Sequence, residues 1–313
     1  MRIAVIGAGA VGGFFGGRLA QAGEDVTFIA RGAGLRALQT DGLHVDTPSG
    51  AFSVRPKATG DAASVGPVDL VILGVKAWQV PEAARTAKPL VGPSTVVLPL
   101  QNGVEAADQV TAEVGPGHVL GGLCHLIVFL TAPGRVQNMP GLEPSVTFGE
   151  LDNRPSDRVR QVQEAFGRAG VKAIVSPDIL AALWTKFLFI VAFGGVGAVT
   201  RAPIGVIRAV SETRAMLEQA MQEVRTLAAA RGVALPADAA VASMARLDGL
   251  SPAATASMQR DIMEGRPSEL EAQNGAVVRL AAQAGVETPL HQFIYQALLP
   301  SERRARGEIQ FPA

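Results

Sequence analysis

The chain has 313 residues, with 28 Lys and Arg against 28 Asp and Glu, so its formal net charge is zero. That balance excludes the basic footprint of a nucleic-acid binder or an anionic-membrane binder, and the length suits two domains with ample core. One cysteine, Cys124, excludes an internal disulfide and a thiolate metal cluster, and the four histidines are scattered without metal-ligand spacing, so a reducing, cytoplasmic setting is expected.

The first 32 residues, MRIAVIGAGAVGGFFGGRLAQAGEDVTFIARG, pose a choice between a secretion signal and a nucleotide cradle. A signal needs a basic start, an unbroken apolar core and a small-residue cleavage site. Here only Arg2 is basic at the start, glycine recurs, and Arg18 interrupts the run. The cradle explains more residues. Ile3-Ala-Val-Ile6 reads as a buried parallel strand, residues 13–21 as a helix stopped by Gly23, and residues 25–29 as a second strand. Gly7-Ala8-Gly9-Ala10-Val11-Gly12 then falls at the first strand-to-helix turn. There Gly7 allows the tight turn, Gly9 lets a pyrophosphate approach the backbone, and Gly12 lets helix and strand pack closely. An NAD site would place an acid at the end of the second strand, to bond the ribose 2′-hydroxyl. The chain instead has Ala30-Arg31-Gly32. A guanidinium suits a 2′-phosphate, so the cofactor expected is NADP.

Residues 43–57 alternate around Pro48-Ser49-Gly50, an edge-hairpin pattern. Residues 68–75 read as a buried strand, 78–90 as a helix and 95–100 as a further strand. Residues 119–129, 136–138 and 146–149 follow as strands, 155–169 as an amphipathic helix and 171–175 as a last strand. Strands alternating with helices imply an α/β fold with a doubly wound parallel sheet, Rossmann-like. Lys76 and Asn102 each follow a strand, at the carboxyl ends where such sheets bind ligands. Lys76 serves equally as a surface helix start, and Asn102-Gly103 equally as a turn.

Beyond Ser176-Pro177 the pattern turns helical, over residues 178–192, 211–231, 236–247, 257–263, 267–284 and 289–299. The expected organisation is a nucleotide domain over 1–176, an all-helical substrate domain over 177–300 and a frayed tail over 301–313, with a ligand cleft between the domains. The apolar run 187–199 is too short to span a membrane and is softened by glycines. The apolar face of residues 211–231 allows a homodimer or an internal core. Lys186 is the only charge in the apolar stretch 181–191. It is either a desolvated proton donor or a lysine snorkelling to water. Glu269, after Pro267-Ser268, is either functional or a helix-start acid. Ser257 is either functional or a helix cap.

Taken together, these pieces resemble the ketopantoate reductase (2-dehydropantoate 2-reductase) family over residues 3–299. The resemblance rests on Gly7-x-Gly9-x-x-Gly12, Arg31, Lys76-Ala-Trp-Gln, Asn102-Gly103, Leu183-Trp184-x-Lys186, Ser257-Met258, Gly265-Arg-Pro-Ser-Glu269 and Asn274-Gly275. It implies NADPH-dependent reduction of a 2-oxo acid to a 2-hydroxy acid, usually in pantothenate biosynthesis. It also implies Lys186 as proton donor, Glu269 beside cofactor and lysine, Ser257 as substrate contact, and Lys76 and Asn102 as cofactor contacts. One departure stands out. The well-known members carry substrate-holding asparagines where this chain has Ile190, Gly194 and Ile204. A pocket without those amides suits a different, less polar 2-oxo acid. Two alternatives remain: a non-catalytic NADP sensor, and a related two-domain dehydrogenase acting on opine-like or sugar-acid substrates.

Overall fold

The computed structural model describes residues 1–312. They form two compact units: Met1–Gln101 with Glu105–Ile179, and Asn102–Val104 with the chain from Leu180 onward. The three residues after Gln101 thus pack with the helical unit, although the sequence pattern put them in the nucleotide domain.

The first unit alternates strand and helix. In order it contains β1 (Arg2–Ile6), α1 (Ala10–Gln21), β2 (Asp25–Ile29), α2 (Gly32–Thr40), β3 (Leu43–Thr47), β4 (Gly50–Val54), β5 (Lys57–Thr59) and β6 (Leu70–Leu73). It continues with α3 (Val80–Ala87), β7 (Val96–Pro99), α4 (Ala106–Val114), β8 (Leu120–His125), β9 (Val128–Ala132), β10 (Arg135–Asn138), β11 (Ser145–Glu150), α5 (Asp157–Arg168) and β12 (Lys172–Val175). Five strands pair in parallel in the order β5-β2-β1-β6-β7. Their side chains alternate between two cores, because successive residues of a strand face opposite sides. Ile3, Val5, Leu70, Ile72, Val96 and Leu98 enter one core; Ala4, Ile6, Val71, Leu73 and Val97 enter the other. With both faces covered, the sheet is doubly wound and Rossmann-like.

Two strand expectations need correction. The hairpin of β3 and β4 does not edge the parallel sheet; it joins a second sheet of order β4-β3-β10-β9, and β5 takes the edge of the first. The run 119–129 is not one strand. It breaks after His125, so that β8 joins a three-stranded sheet, β12-β11-β8, while β9 pairs with β10. The glycines of α1 explain the second sheet. A Cβ on Gly16 would lie 2.5 Å from Phe28, toward the parallel sheet, whereas one on Gly13 or Gly17 would lie 2.8 Å from Val136 or 2.9 Å from Leu43. Helix α1 is therefore held closely on two sides. On its other positions Phe14 and Phe15 are fully buried, which stabilises by about 1.5–3 kcal/mol each.

The second unit contains α6 (Ile179–Thr200), α7 (Ile204–Ala209), α8 (Ser211–Ala230), α9 (Ala239–Asp248), α10 (Ser257–Met263), α11 (Asn274–Ala284) and α12 (Pro289–Ala305). Ile179, at the start of α6, belongs to the first unit. Helix α6 runs on to Thr200, eight residues beyond the expected 192, straight through Gly194, Gly195 and Gly197. At 22 residues it is long and apolar enough to cross a membrane, but 67% of its most apolar window is buried inside the protein. The apolar face of α8 is spent on the same core: Leu217, Ala220, Met221, Val224 and Leu227 are all fully buried.

Three boundaries differ from expectation. The helix expected from Pro267 starts only at Asn274. Residues 269–273 instead wind through a turn, closed by Gln273 N–H donating to the Glu269 carbonyl at 2.9 Å. Ser257 is not a cap: it is the first helical residue of α10, after Ala256. Nor does the chain fray from Ser301. Helix α12 continues to Ala305 because Glu302, only 4% exposed, is an anchor. Its carboxylate accepts the Ser268 amide at 3.0 Å and the Ser268 hydroxyl at 2.5 Å, and Arg306 donates to it at 2.7 Å.

Candidate functional site

In the first unit, β1 delivers the chain into the Gly7–Gly12 turn. Gly7 holds φ +102°, a conformation open to glycine at little cost. A Cβ on Gly12 would stand 2.1 Å from the Gly7 carbonyl oxygen, and one on Gly7 2.8 Å from Val75. The fold itself requires both. Gly9 is different: its Cβ would meet nothing nearer than the Gly74 carbonyl oxygen at 3.6 Å, an ordinary contact, and its φ of −79° suits any residue. The protein's own packing does not need a glycine there, whereas close approach of a ligand does. Gly7, Ala8, Gly9, Ala10 and Val11 are only half-buried, and Gly12 is buried beneath them. Helix α1 starts at Ala10 with no side-chain cap and no acid in its first turn, so its leading N–H groups are left to an anion. These residues fit a dinucleotide's diphosphate.

Arg31, the N-cap residue of α2, donates from Nη1 to Glu82 Oε1 in the first turn of α3. The hydrogen bond from Arg31 holds the Glu82 carboxyl below its ordinary value. Lys76 is exposed after β6; its backbone N–H donates to Gln79 Oε1 at 3.2 Å, and its Nζ lies 5.8 Å from the centroid of the Trp78 ring. Gln101 ties the carboxyl end of β7 to the chain after β6, donating to the Leu73 and Val75 carbonyls at 2.8 and 3.0 Å. Its Oε1 is buried with no hydrogen-bond partner among the described residues.

The second unit collects the other expected residues. Glu269, 7% exposed, sits in the turn before α11. Its Oε2 accepts from Asn102 Nδ2 at 3.2 Å and from Gln273 Nε2 at 3.3 Å. Asn102 reaches it because Gly103, at φ +116°, bends the chain against the Ala272 carbonyl. Two amides on one carboxylate oxygen make a charge-assisted arrangement, stronger than neutral pairs. Lys186 lies on α6 beside Trp184 and Phe187 in sequence, both buried, whose rings stack edge-to-face at 5.7 Å. It is half-buried. Ser257 is exposed at the start of α10, where Gln259 Oε1, not Ser257, accepts the Ala256 N–H.

Of the three positions lacking asparagine, Ile204 is fully buried in the helical core and Ile190 packs half-buried against it. Gly194 faces something the sequence reading missed. A Cβ there would lie 3.4 Å from Gln273 Oε1 and 3.3 Å from Met258. The neighbouring glycines repeat the device: a Cβ on Gly195 would strike Asn274 Nδ2 at 2.6 Å, and one on Gly197 would strike Gln259 Oε1 at 2.5 Å. Glycine in a helix interior is unfavourable by about 1 kcal/mol relative to alanine, so Gly194-Gly195-x-Gly197 was a legible sign of close approach. What approaches is a set of buried amides from the 259–274 region.

Comparison with known proteins gives one consistent family. Residues 3–153 match the family described as "Ketopantoate reductase PanE/ApbA", and residues 178–302 match "Ketopantoate reductase PanE/ApbA C terminal". An uncharacterized oxidoreductase of Bacillus subtilis, YkpB, is 31% identical, with 95% of this chain and 98% of that protein covered. The crystal structure of a PanE/ApbA family ketopantoate reductase from Ralstonia eutropha matches with a TM-score of 0.89 at 30% identity, covering 98% of this chain and 100% of the other. The ternary structure of D-mandelate dehydrogenase with NADH and anilino(oxo)acetate matches with a TM-score of 0.89, covering 98% and 99%, but at 23% identity this is a likeness of fold alone. The chain belongs to the ketopantoate reductase family and is an NAD(P)-dependent oxidoreductase acting on a CH–OH group.

Proposed function

We propose that this member of the ketopantoate reductase family uses NADPH to reduce a 2-oxo acid to a 2-hydroxy acid in the cytoplasm. The favoured substrate is 2-dehydropantoate (ketopantoate), which becomes pantoate, a step of pantothenate biosynthesis. The observation that carries the reading is the Glu269 carboxylate, almost wholly buried and held at one oxygen by Asn102 and Gln273. It sits in the same unit as Lys186. Binding a nucleotide without turnover does not call for a buried acid fixed in this way.

A reduced nicotinamide, when bound, supplies the hydride. The chain's own groups do the rest. The Gly7–Gly12 turn offers backbone N–H groups to the diphosphate, Arg31 grips the 2′-phosphate, and Lys76 and Asn102 contact the cofactor. The Lys186 ammonium stabilises the negative charge growing on the carbonyl oxygen and delivers its proton there. Glu269 balances that cation. The exposed Ser257 hydroxyl contacts the substrate.

A second reading has specific support: Ile190 and Ile204 are apolar and Gly194 carries no side chain, which suits a 2-oxo acid less polar than ketopantoate. A panel of 2-oxo acids, assayed with NADPH and with NADH by nicotinamide absorbance, separates the possibilities. Ketopantoate turned over most efficiently supports the first reading; a hydrophobic 2-oxo acid preferred supports the second. Tight NADPH binding with no oxidation anywhere in the panel refutes both and leaves a sensor. Within an active enzyme, Lys186→Ala should abolish turnover while NADPH still binds; an active variant removes Lys186 from the mechanism.

A further inference from the structure

The turn at residues 269–273 is held by an unusual economy of polar groups. Gln273 is 2% exposed and Glu269 is 7% exposed, so bulk water has little access to either side chain. A buried amide left without hydrogen bonds is costly. Here the Gln273 Nε2 donates to Glu269 Oε2 at 3.3 Å, and the Gln273 backbone N–H donates to the Glu269 carbonyl at 2.9 Å. One residue therefore clamps both the backbone and the carboxylate of Glu269. Asn102 also donates to that oxygen, at 3.2 Å.

The other end of the Gln273 amide explains Gly194. Gln273 Oε1 would lie 3.4 Å from a Cβ on Gly194, and Met258 Cε would lie 3.3 Å from it. A single methyl fits there with slight adjustment. A longer side chain would extend past its Cβ into the volume that the glutamine amide fills, and would push it off Glu269. Gly194 lies two helical turns beyond Lys186 on α6, close to the same face. The amide thus enters the lysine-bearing side of the helix from the 269–273 turn, not from the helix itself.

We propose that Gln273 is a positioning residue for Glu269, and that Gly194 is its steric counterpart. The two positions act as one device: the absent side chain at 194 makes room for the amide that fixes the carboxylate. The kinetic consequence rests on the reductase reading given above, whereas the pairing of the two residues does not.

The test is a double-mutant cycle in the full-length protein with Gln273→Leu, Gly194→Leu and the double variant. Steady-state kinetics with NADPH and the best 2-oxo acid of the panel are read beside thermal unfolding. Gln273→Leu should lower kcat by about ten- to a hundredfold, the range for a hydrogen bond to a charged group, with KM for NADPH changed much less. Gly194→Leu should reproduce that pattern, and the double variant should be no worse than either alone, since both remove one interaction. Gly194→Ala guards against misfolding: its one methyl should leave Gln273 seated and kcat within about twofold, because its contacts are near ordinary van der Waals range. Independent, multiplying losses in the two leucine variants overturn the proposal, as does an unchanged kcat in Gln273→Leu. Should the unmodified protein reduce nothing in the panel, the functional reading fails by itself. The cycle is then scored on unfolding alone, where coupled losses uphold the pairing and additive ones overturn it.

Discussion

Arg31 and Glu82 form an ion pair that joins the N-cap of α2 to the first turn of α3, with the guanidinium Nη1 donating to the carboxylate. Both side chains are mostly exposed, at 69% and 54%, so solvent screens the pair and it adds little to stability. Its importance lies elsewhere. With Nη1 engaged by Glu82, the Arg31 fork is not wholly free to grip a 2′-phosphate, and the carboxylate also offsets its charge. On the NADPH reading proposed above, Glu82 competes with the cofactor's 2′-phosphate for the guanidinium. Glu82→Gln should tighten NADPH binding by about two- to fivefold, the span of an exposed ion pair, and leave NADH unchanged. Arg31→Ala should weaken NADPH far more than NADH. Calorimetric titration of both nucleotides decides: equal effects on the two would remove Arg31 from phosphate recognition.

The glycine turn separates packing from binding in a way two alanines can read. Gly12→Ala drives a methyl to 2.1 Å from the Gly7 carbonyl oxygen, a backbone atom that cannot step aside. It should cost at least 1–3 kcal/mol, the usual range for overpacking a close contact, and lower the melting temperature with or without nucleotide. Gly9→Ala meets nothing within 3.5 Å. It should melt like the unmodified protein, gaining slightly if anything from reduced chain entropy, but bind the dinucleotide much more weakly. If Gly9→Ala binds normally, the diphosphate does not lie against that turn.

How much of this was legible depended on whether a residue's partner was near in sequence. The β1–α1–β2 unit was readable because apolar period and glycine spacing are local, and the parallel sheet followed from strand–helix alternation. The second sheet was not readable: β3 pairs with β10, some ninety residues away, and no short-range pattern encodes such a pairing. Only in hindsight do Gly13 and Gly17, beside Gly12 and Gly16, announce a helix covered on two sides. Pro267-Ser268-Glu269 mimicked a helix start because Pro, Ser and Glu favour first turns. The Ser268 hydroxyl is instead committed to Glu302, 34 residues away, as well as to the Leu270 N–H. Lys186, Glu269 and Asn102 were picked out individually, but Gln273 was not. A glutamine in a polar stretch looks like surface until the fold buries it.

The Glu302–Ser268 link makes the end of the chain part of the Glu269 turn. Glu302→Ala would leave the buried Ser268 N–H without its acceptor and remove the carboxylate partner of Arg306, which also donates to the Ser268 carbonyl. The expected loss is about 1.5–3 kcal/mol, typical of a hydrogen bond to a charged group. Truncation after Pro300 should destabilise at least as much. Denaturant unfolding measures it, and kcat should fall alongside, because Ser268 immediately precedes Glu269. A truncated protein as stable as the whole chain would return residues 301–305 to the status of a dispensable tail.

His291 offers a pH dependence with a definite sign. It is fully buried, with Nε2 3.0 Å from the Ala220 carbonyl and Nδ1 2.9 Å from Asn274 Nδ2. The carbonyl can only accept, so Nε2 carries the hydrogen and Nδ1 accepts from the amide. Protonating Nδ1 would set two donors against each other. Burial lowers the histidine's pKa below its ordinary 6.5, although the Ala220 hydrogen bond and the charge of Glu223 pull it upward. The unfolded chain therefore takes up a proton near pH 6.5 that the folded one refuses. Stability is fully present above that pH and falls below it, by at most about 1.4 kcal/mol per pH unit for one group. Denaturant unfolding between pH 7.5 and 5 should show that decline. In His291→Gln, whose amide can donate to Ala220 and accept from Asn274 without titrating, the slope between pH 6.5 and 5 should flatten. An unchanged slope in that variant would assign the decline to other groups.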